Sequence, residues 1–516
     1  MIAKVVSYGI QGVSGYAVQV EADITLLRQP GAAASFDIVG LPDASVKESR
    51  ERVRAAIVNS AFAYPDQRIT VNLAPADTRK IGPIYDLPIA VCLLAALGHV
   101  PQQALEGTAL LGELSLNGEV RPVQGALPMT LAARSDGLRR ILLPADNGPE
   151  SACVEGIDVV AVENLSDVVA YLQGEKDIPP LERAQWQQEA EQGGDSCDFK
   201  YIRGQYMAKR ALEIAAAGGH NVLMAGPPGS GKTMLARAFP TILPPLSYEE
   251  SLETTNIHSI AGELAAGGGL LKRRPFLSPH HTASAVSVIG GGPNLTPGAV
   301  SRALNGVLFL DELPLWPRRI LDALRQSLED GIVTISRARG TATYPARFIL
   351  LAAMNPCPCG NHGTSRPCRC TPNQIETYLS HISGPVLDRI DIQLELEDVP
   401  FSDLVSRREA EPSQAVRERV TRARAIQLQR YQSSAAFCNA QMNQSELERF
   451  CPIRPRDLAM AQAFFEKEQA TARALNRMIR VARTIADLDA SPDIETEHLA
   501  EAFQYHLPAG KYWRRA

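Results

Sequence analysis

The stretch NVLMAGPPGSGKTMLARAF, residues 221 to 239, restricts the fold of this chain more than any other. Apolar β formers run from Asn221 to Ala225, a turn rich in Gly and Pro follows, and a helical pattern then begins, which is the order strand, phosphate loop, helix. Gly226, Pro227, Pro228, Gly229, Ser230, Gly231, Lys232 and Thr233 complete the spacing of that loop. The glycines let successive N–H groups curl round a phosphate, Lys232 reaches the outer phosphates and the Thr233 hydroxyl ligates Mg²⁺. ATP and Mg²⁺ are the expected cofactors, and a parallel sheet flanked by helices is the expected frame.

Such a site needs an acid. GVLFLDELP is a run of β formers ending in Asp311 and Glu312. A strand buried in a parallel sheet delivers both carboxylates to its C-terminal edge, beside the phosphates. Asp311 is expected to hold Mg²⁺ and Glu312 to polarise the attacking water as general base. The alternative is a surface acid pair capping a helix.

At 516 residues and 45% hydrophobic composition the chain has room for several cored domains. With 52 Lys and Arg against 57 Asp and Glu, a net charge of -5 gives no whole-chain pull toward polyanions, so any such site is local. Neither a signal peptide nor a membrane-spanning run is visible, and the expected location is the cytoplasm, with no membrane partner. Residues 1–175 alternate short β-type runs with helical patterns and read as one α/β domain. Residues 176–198 read as a linker, 199–400 as a second α/β domain, and 401–516 as an all-helical one.

Four of nine cysteines lie in AAMNPCPCGNHGTSRPCRCTP, residues 352 to 372. Cys357, Cys359, Cys368 and Cys370 are candidate Zn²⁺ ligands, with His362 as a possible substitute, because a loop with little apolar area gains a fold from four thiolates on a metal. Reduced thiols in a Pro-braced loop and a reversible disulfide remain the alternatives.

VLFLDEL, AAMNPCPCG, SGPVLDRIDI and PHHTASAVSVIGGG, taken with the N-terminal half, resemble the Mg-chelatase-like AAA+ proteins of the YifB/ComM family across essentially the whole chain. The resemblance implies a P-loop AAA+ core of the helix-2-insert type and an all-helical C-terminal lid. Asn355, after the strand ARFILLAAM, matches the polar residue that orients water near the γ-phosphate. Arg389 matches the arginine that reaches a neighbouring subunit's nucleotide, the alternative being an internal ion pair with Asp388 or Asp391. Arg473 matches the nucleotide-facing arginine of the lid, with Arg477 and Arg480 as rivals at successive four- and three-residue offsets on one helix face. Gln205, after Gly204, matches the entrance of the adenine pocket.

GIVTISRARGTATYPARFILL reads as a β-hairpin with Arg337 and Arg339 near its tip. In the resembled proteins such insertions point into a ring's channel, which makes both arginines candidate nucleic-acid contacts; solvated turn residues are the alternative. His280 and His281 read better as packing residues than as contacts. Residues 1–175 resemble the proteolytic domain of Lon, an S5 domain 2-like α/β fold, through GELSLNGEVRPVQGALP and RRILLPADN. Tyr85, Asp86 and Leu87 stand where the serine nucleophile belongs, and QGALPMTLAA offers no lysine, so peptidase chemistry is not expected. Lys47, Lys80 and Arg79 there are left for binding or assembly. The resemblance implies a homo-oligomeric, hexameric ATPase ring acting as a DNA helicase on single-stranded or branched DNA, promoting branch migration in recombination during natural transformation. A protein-remodelling or chelatase-type assembly ATPase is the second reading.

Overall fold

The computed structural model describes all residues except 26–33, 184–196, 338–339, 365, 401–402, 404–409, 435, 468–470 and 508–516. It divides into two compact units, one made of residues 1–187, 248–271 and 336–343, the other of 188–247, 272–335 and 344–516.

In the first unit, Ile2–Gln11 and Ser14–Thr25 pair as a long antiparallel hairpin. Arg68–Ala74 lies antiparallel to its second strand, with Ser35–Val39 parallel at the edge. Thr108–Leu110, Arg140–Pro144 and Asp158–Val162 continue the sheet in parallel on the other side, making seven strands. Alternation decides which face is buried: Ala3 and Val5 turn inward while Ile2 and Lys4 stay exposed. Helix Asp86–Ala96 is apolar all round and is buried at every position but Ala95, so it runs through the core and not over it. The six longer strands are legible in the sequence; Thr108–Leu110, at three residues, is too short to show a period.

Helix Tyr248–Ala261 groups with this unit, although it lies inside the span expected as the second α/β domain. Its Tyr248 hydroxyl donates to the Cys153 carbonyl at 2.9 Å, and its Ser259 hydroxyl to the buried Glu150 carboxylate at 2.5 Å. Ile178 and Leu181, from the start of the expected linker, pack on the same core, and the Leu181 N–H donates to the Val159 carbonyl.

The second unit is built on five parallel strands in the order Phe276–Leu277, Val307–Leu310, Ile349–Met354, Val222–Ala225, Ile392–Glu395. Val222–Ala225 and Val307–Leu310 are buried at every residue, as strands covered on both faces must be. Because all five run the same way, whatever follows each of them collects at one edge. Register makes this specific: Ala225 lies beside Met354, and Leu310 beside Ala352. Gly226 therefore comes level with Asn355, and Asp311 reaches the same edge level with Ala353, two residues before Asn355.

Past residue 401 the described residues form helices and no strand, among them Ser413–Arg430, Gln444–Phe450, Leu458–Lys467, Ala472–Leu488 and Thr496–Gln504. A buried polar chain joins them to the sheet. The His220 ring lies 3.3 Å from Asp391 through Nδ1 and 2.8 Å from the Thr484 hydroxyl through Nε2. Burial pushes the Asp391 carboxyl up, but the His220 bond, with Arg477 and Arg480 nearby, holds it below the usual range. Among the described residues no helix is long and apolar enough to cross a membrane.

Candidate active site

The phosphate loop leaves the strand at Ala225 and turns into helix Lys232–Ala238. Gly229 and Gly231 sit at φ +87° and +91° with open space where a side chain would go, so backbone conformation and not crowding calls for glycine there. The Lys232 ammonium donates to the Gly226 carbonyl at 2.7 Å, to the Pro227 carbonyl at 2.8 Å and to the Asn355 side-chain oxygen at 3.2 Å. Burial lowers its pKa to about 8, against the pull of the Asp311 carboxylate. An anionic phosphate brought to this point favours the charged form and supplies the counter-charge that backbone carbonyls only imitate.

The Thr233 hydroxyl donates to Asp311 Oδ2 at 3.1 Å, so the two expected Mg²⁺ ligands already face each other. Their donor set, one hydroxyl and one carboxylate beside a phosphate loop, suits a hard cation that keeps several waters and binds through substrate phosphates. Glu312 follows at φ +51°, an uncommon conformation for a non-glycine residue, and its N–H donates to Asp311 Oδ1 at 2.9 Å. The Trp316 indole N–H donates to the Asp311 carbonyl at 3.0 Å and helps fix this turn.

His281 stands 3.2 Å from the Glu312 carboxylate through Nδ1. Its ring also lies against that of His280, which bonds the Thr282 hydroxyl. Packing was the role expected of this pair, and the contact with the candidate base went unseen. The available signal was topological: Phe276–Leu277 is parallel to the acid strand, so the chain beyond it passes the end of that strand.

Tyr378 is a second residue missed in the sequence. Burial pushes its phenol up to about 12, the Asn355 N–H donates to it, and Asp311 and Glu312 are near enough to act on its charge. Nothing in its spacing marks it out. Gln205 donates to the Ser230 carbonyl at 3.0 Å and the Glu397 carbonyl at 2.8 Å, joining the segment before helix Tyr206–Gly218 to the phosphate loop. A cavity of about 550 Å³ opens beside it, lined by Phe199, Gly204, Tyr206, Lys209 and Arg419 among others.

Arg389 is paired inside the chain, but with neither of the partners the sequence offered. Its Nη2 lies 2.5 Å from Glu329 Oε2, and this bond is the largest cause holding the Glu329 carboxyl below its usual range. Asp391 is taken by His220, and Asp388 lies 4.0 Å from Arg477. Arg473 is exposed and adds its charge at Glu329. Arg477 is buried, donating to the Leu387 and Ile390 carbonyls, and Arg480 donates to the Met442 carbonyl at 2.6 Å.

The four loop cysteines converge, with all four sulfurs within 4.8 Å of one another. N–H groups of Arg369 and Asn361 lower the Cys359 thiol to about 6. Cys370, despite an N–H bond from Cys359, is pushed up to about 12 by burial and the neighbouring sulfurs. His362 contributes its backbone N–H, 3.4 Å from the Cys357 sulfur.

In the first unit the position of the absent serine is filled by structure. Asp86 is fully buried and receives Arg52 Nε at 2.6 Å and Nη2 at 3.1 Å, with the Leu114 N–H at 3.3 Å. Burial still outweighs these bonds and raises its pKa. Tyr85 and Leu87 are core residues. Lys80, expected to be available for binding, is buried and donates to the Pro75 and Thr78 carbonyls, whereas Lys47 and Arg79 are exposed. Arg337 ends strand Ile332–Arg337 of a two-stranded hairpin and is exposed; Arg339 lies outside the described residues.

Three family models match in series. Subunit ChlI of Mg-chelatase covers residues 20–147, magnesium chelatase subunit ChlI 198–404, and the ChlI C-terminal model 410–506. Competence protein ComM of Haemophilus influenzae is 42% identical over 507 residues, covering 98% of this chain and 97% of its own. YifB of Escherichia coli, an uncharacterized protein, is 43% identical over 470 residues, 91% of this chain and 90% of its own. Lon protease 2 of Bacillus subtilis is 25% identical over 169 residues, 30% of each chain, a partial likeness. With the phosphate loop, the acid strand and these near full-length matches in place, the chain belongs to the YifB/ComM family of Mg-chelatase-like AAA+ proteins.

Proposed function

We propose that this protein is a Mg²⁺-dependent AAA+ ATPase that assembles into a homo-oligomeric ring and works as a DNA motor, a helicase promoting branch migration in recombination during natural transformation. The observation that carries the ATPase reading is the meeting of Lys232, Thr233, Asp311 and Asn355 at one edge of a parallel sheet, within 3.2 Å in each successive pair from Asp311 to Thr233 and from Lys232 to Asn355.

Lys232 exchanges the Gly226 and Pro227 carbonyls for phosphate oxygens, while main-chain N–H groups of the loop hold the rest of the triphosphate. Mg²⁺, held by Thr233 and Asp311, supplies charge neutralisation on the phosphates. Glu312 orients and deprotonates the attacking water, Asn355 positions it, and His281 and Tyr378 fix the direction of the Glu312 carboxylate and the Asn355 main chain.

Arg389 acts on a neighbouring subunit's nucleotide. Its bond to Glu329 involves a carboxylate half exposed to solvent, and such pairs contribute about 0–1 kcal/mol. Charge-assisted bonds to a phosphate contribute about 1.5–3 kcal/mol each, so exchange of partners on assembly is favourable. Mixing Arg389→Ala with Lys232→Ala subunits restores turnover that neither has alone; well-mixed oligomers that stay inactive contradict this geometry.

The name of the Haemophilus relative, a competence protein, supports DNA as the track, with Arg337, at the end of its strand, and Arg339, two residues on in the sequence, as the phosphate contacts. The ChlI family models favour the second reading, a chelatase-type or protein-remodelling assembly ATPase. Forked DNA separates the two. The motor reading expects ATP hydrolysis stimulated by forked or single-stranded DNA, ATP-dependent strand separation, and affinity that falls steeply with salt. No response to DNA, with stimulation by a protein client, establishes the second reading instead.

A further inference from the structure

The loop between the strand Ile349–Met354 and helix Pro372–Ser380 leaves the nucleotide site and comes back to it. Cys357 and Cys359 stand on the outgoing arm, Cys368 and Cys370 on the returning one. The sulfur separations Cys357–Cys359, Cys357–Cys368 and Cys359–Cys368 are 3.4, 3.8 and 3.6 Å. Four sulfurs about 2.3 Å from a common tetrahedral Zn²⁺ stand about 3.8 Å apart, so Cys357, Cys359 and Cys368 already have tetrathiolate spacing, with the Cys370 sulfur within 4.8 Å of each. All four thiols are free of disulfides.

Main-chain N–H groups point at every sulfur. His362 donates to Cys357, Asn361 and Arg369 to Cys359, Cys370 to Cys368, and Cys359 to Cys370. Amide-to-sulfur bonds of this kind spread the negative charge that thiolates carry on a metal. Beyond Pro356, Cys357 and Gly360 the described loop residues are at least partly exposed, so no apolar core fixes this conformation. A metal fixes it without one.

We infer that Cys357, Cys359, Cys368 and Cys370 form a structural zinc site that braces the phosphate loop and the Asn355 amide. The brace has three contacts. Gly360, held by its N–H bond to the Cys357 carbonyl at 2.9 Å, adopts φ +80° and lies so close to the Pro228 ring that a Cβ there overlaps it. Cys357 is two residues beyond Asn355. Cys370 is two residues before helix Pro372–Ser380, whose Tyr378 takes the Asn355 N–H. Joining the two arms through one ion thus fixes both ends of the loop at the nucleotide site. Soft thiolates in a tetrahedral set select Zn²⁺ over hard cations, and the Mg²⁺ ligands Thr233 and Asp311 are chemically distinct from them.

The brace rests on the nucleotide-site reading, whereas the metal site does not. Metal analysis of the full chain, purified under reducing conditions, is expected to give one zinc per chain, lost in Cys368→Ser/Cys370→Ser. Cobalt(II) exchanged into the wild-type protein is expected to show thiolate charge-transfer and tetrahedral ligand-field absorption, which decides the site even if the serine variant misfolds. Zinc stripped from the wild-type protein by a chelator is expected to weaken binding of a fluorescent ATP analogue, and zinc to restore it, with circular dichroism unchanged. A folded chain with four titratable thiols and no metal overturns the site, as does bound iron or a disulfide among the four. Unchanged analogue affinity after zinc removal overturns the brace alone, and absence of any ATPase activity leaves the zinc count untouched.

Discussion

Lys80 in the first unit and Lys232 in the second are both buried, both held by two backbone carbonyls, and both lowered in pKa chiefly by burial. Lys80 has loop groups of its own neighbourhood, the Pro75 and Thr78 carbonyls and the charge of nearby Asp77, and serves as a clamp. Lys232 also meets Asn355 and feels Asp311, residues delivered from two other strands. The aspartates repeat the contrast. Asp86 is closed in by Arg52 and the Leu114 N–H, whereas Asp311 faces a hydroxyl and one N–H and keeps coordination capacity in hand. Burial of a charged group thus says little about function; what separates the two regions is whether its partners saturate it and whether they come from distant segments that a substrate can bridge.

Substitutions sharpen this contrast, beginning with the largest effect. Glu312→Gln is expected to lower phosphate release by about 10²–10⁴-fold while a fluorescent ATP analogue still binds, since Lys232 and the loop are intact. Retained turnover removes Glu312 from the role of base. Next, Arg52→Ala leaves Asp86 uncompensated in the core and is expected to destabilise the first unit by about 3–5 kcal/mol, read from the urea midpoint. A shift well below that means water reaches Asp86 and the saturation argument fails there.

Lys232→Ala is expected to weaken ATP binding by about 10–100-fold, the worth of one charge-assisted bond of about 1.5–3 kcal/mol. Lys80→Ala is expected to lower stability and leave affinity unchanged; equal loss of affinity in both erases the distinction. The smallest effect is on pH. Burial lowers the pKa of Lys232 in the free site to about 8, and a bound phosphate favours its protonated form and raises that value. Affinity is then flat below about pH 8 and falls above it by at most about tenfold per unit, with proton uptake on binding. Calorimetry in buffers of different ionisation heat measures that proton directly, and no uptake at pH 9 contradicts the assignment.

How much of this was legible in the sequence follows from the same physics. Strands covered on both faces read as unbroken apolar runs, so VLMA, VLFL and ILLAAM, and the Lys232, Asp311 and Asn355 positions beside them, stand out without a structure. His281, Tyr378 and Glu329 do not, because sheet order and helix return, and not spacing, bring them to Glu312, Asn355 and Arg389. For Arg389 the nearest acids in sequence were the natural candidates, but Asp391 is committed to the buried His220 link and Asp388 leans toward Arg477. Helix Ala472–Leu488 shows the reverse case. Arg473 is the best match on paper with Arg477 and Arg480 as close rivals, and packing separates them by burying Arg477 under carbonyls and leaving Arg473 exposed beside Glu329. The single-residue spacing within each cysteine pair left zinc, thiols and disulfide open, and only the fold of the two arms brings the sulfurs together.

Phosphate release from ATP by wild-type protein, followed with and without Mg²⁺ beside nucleotide binding by Glu312→Gln, tests the central claim most directly. Mg²⁺-dependent turnover in the wild type, with a variant that binds nucleotide and does not turn it over, is the result expected. A folded wild-type chain that binds no nucleotide, or a variant that hydrolyses ATP as fast as the wild type, contradicts it.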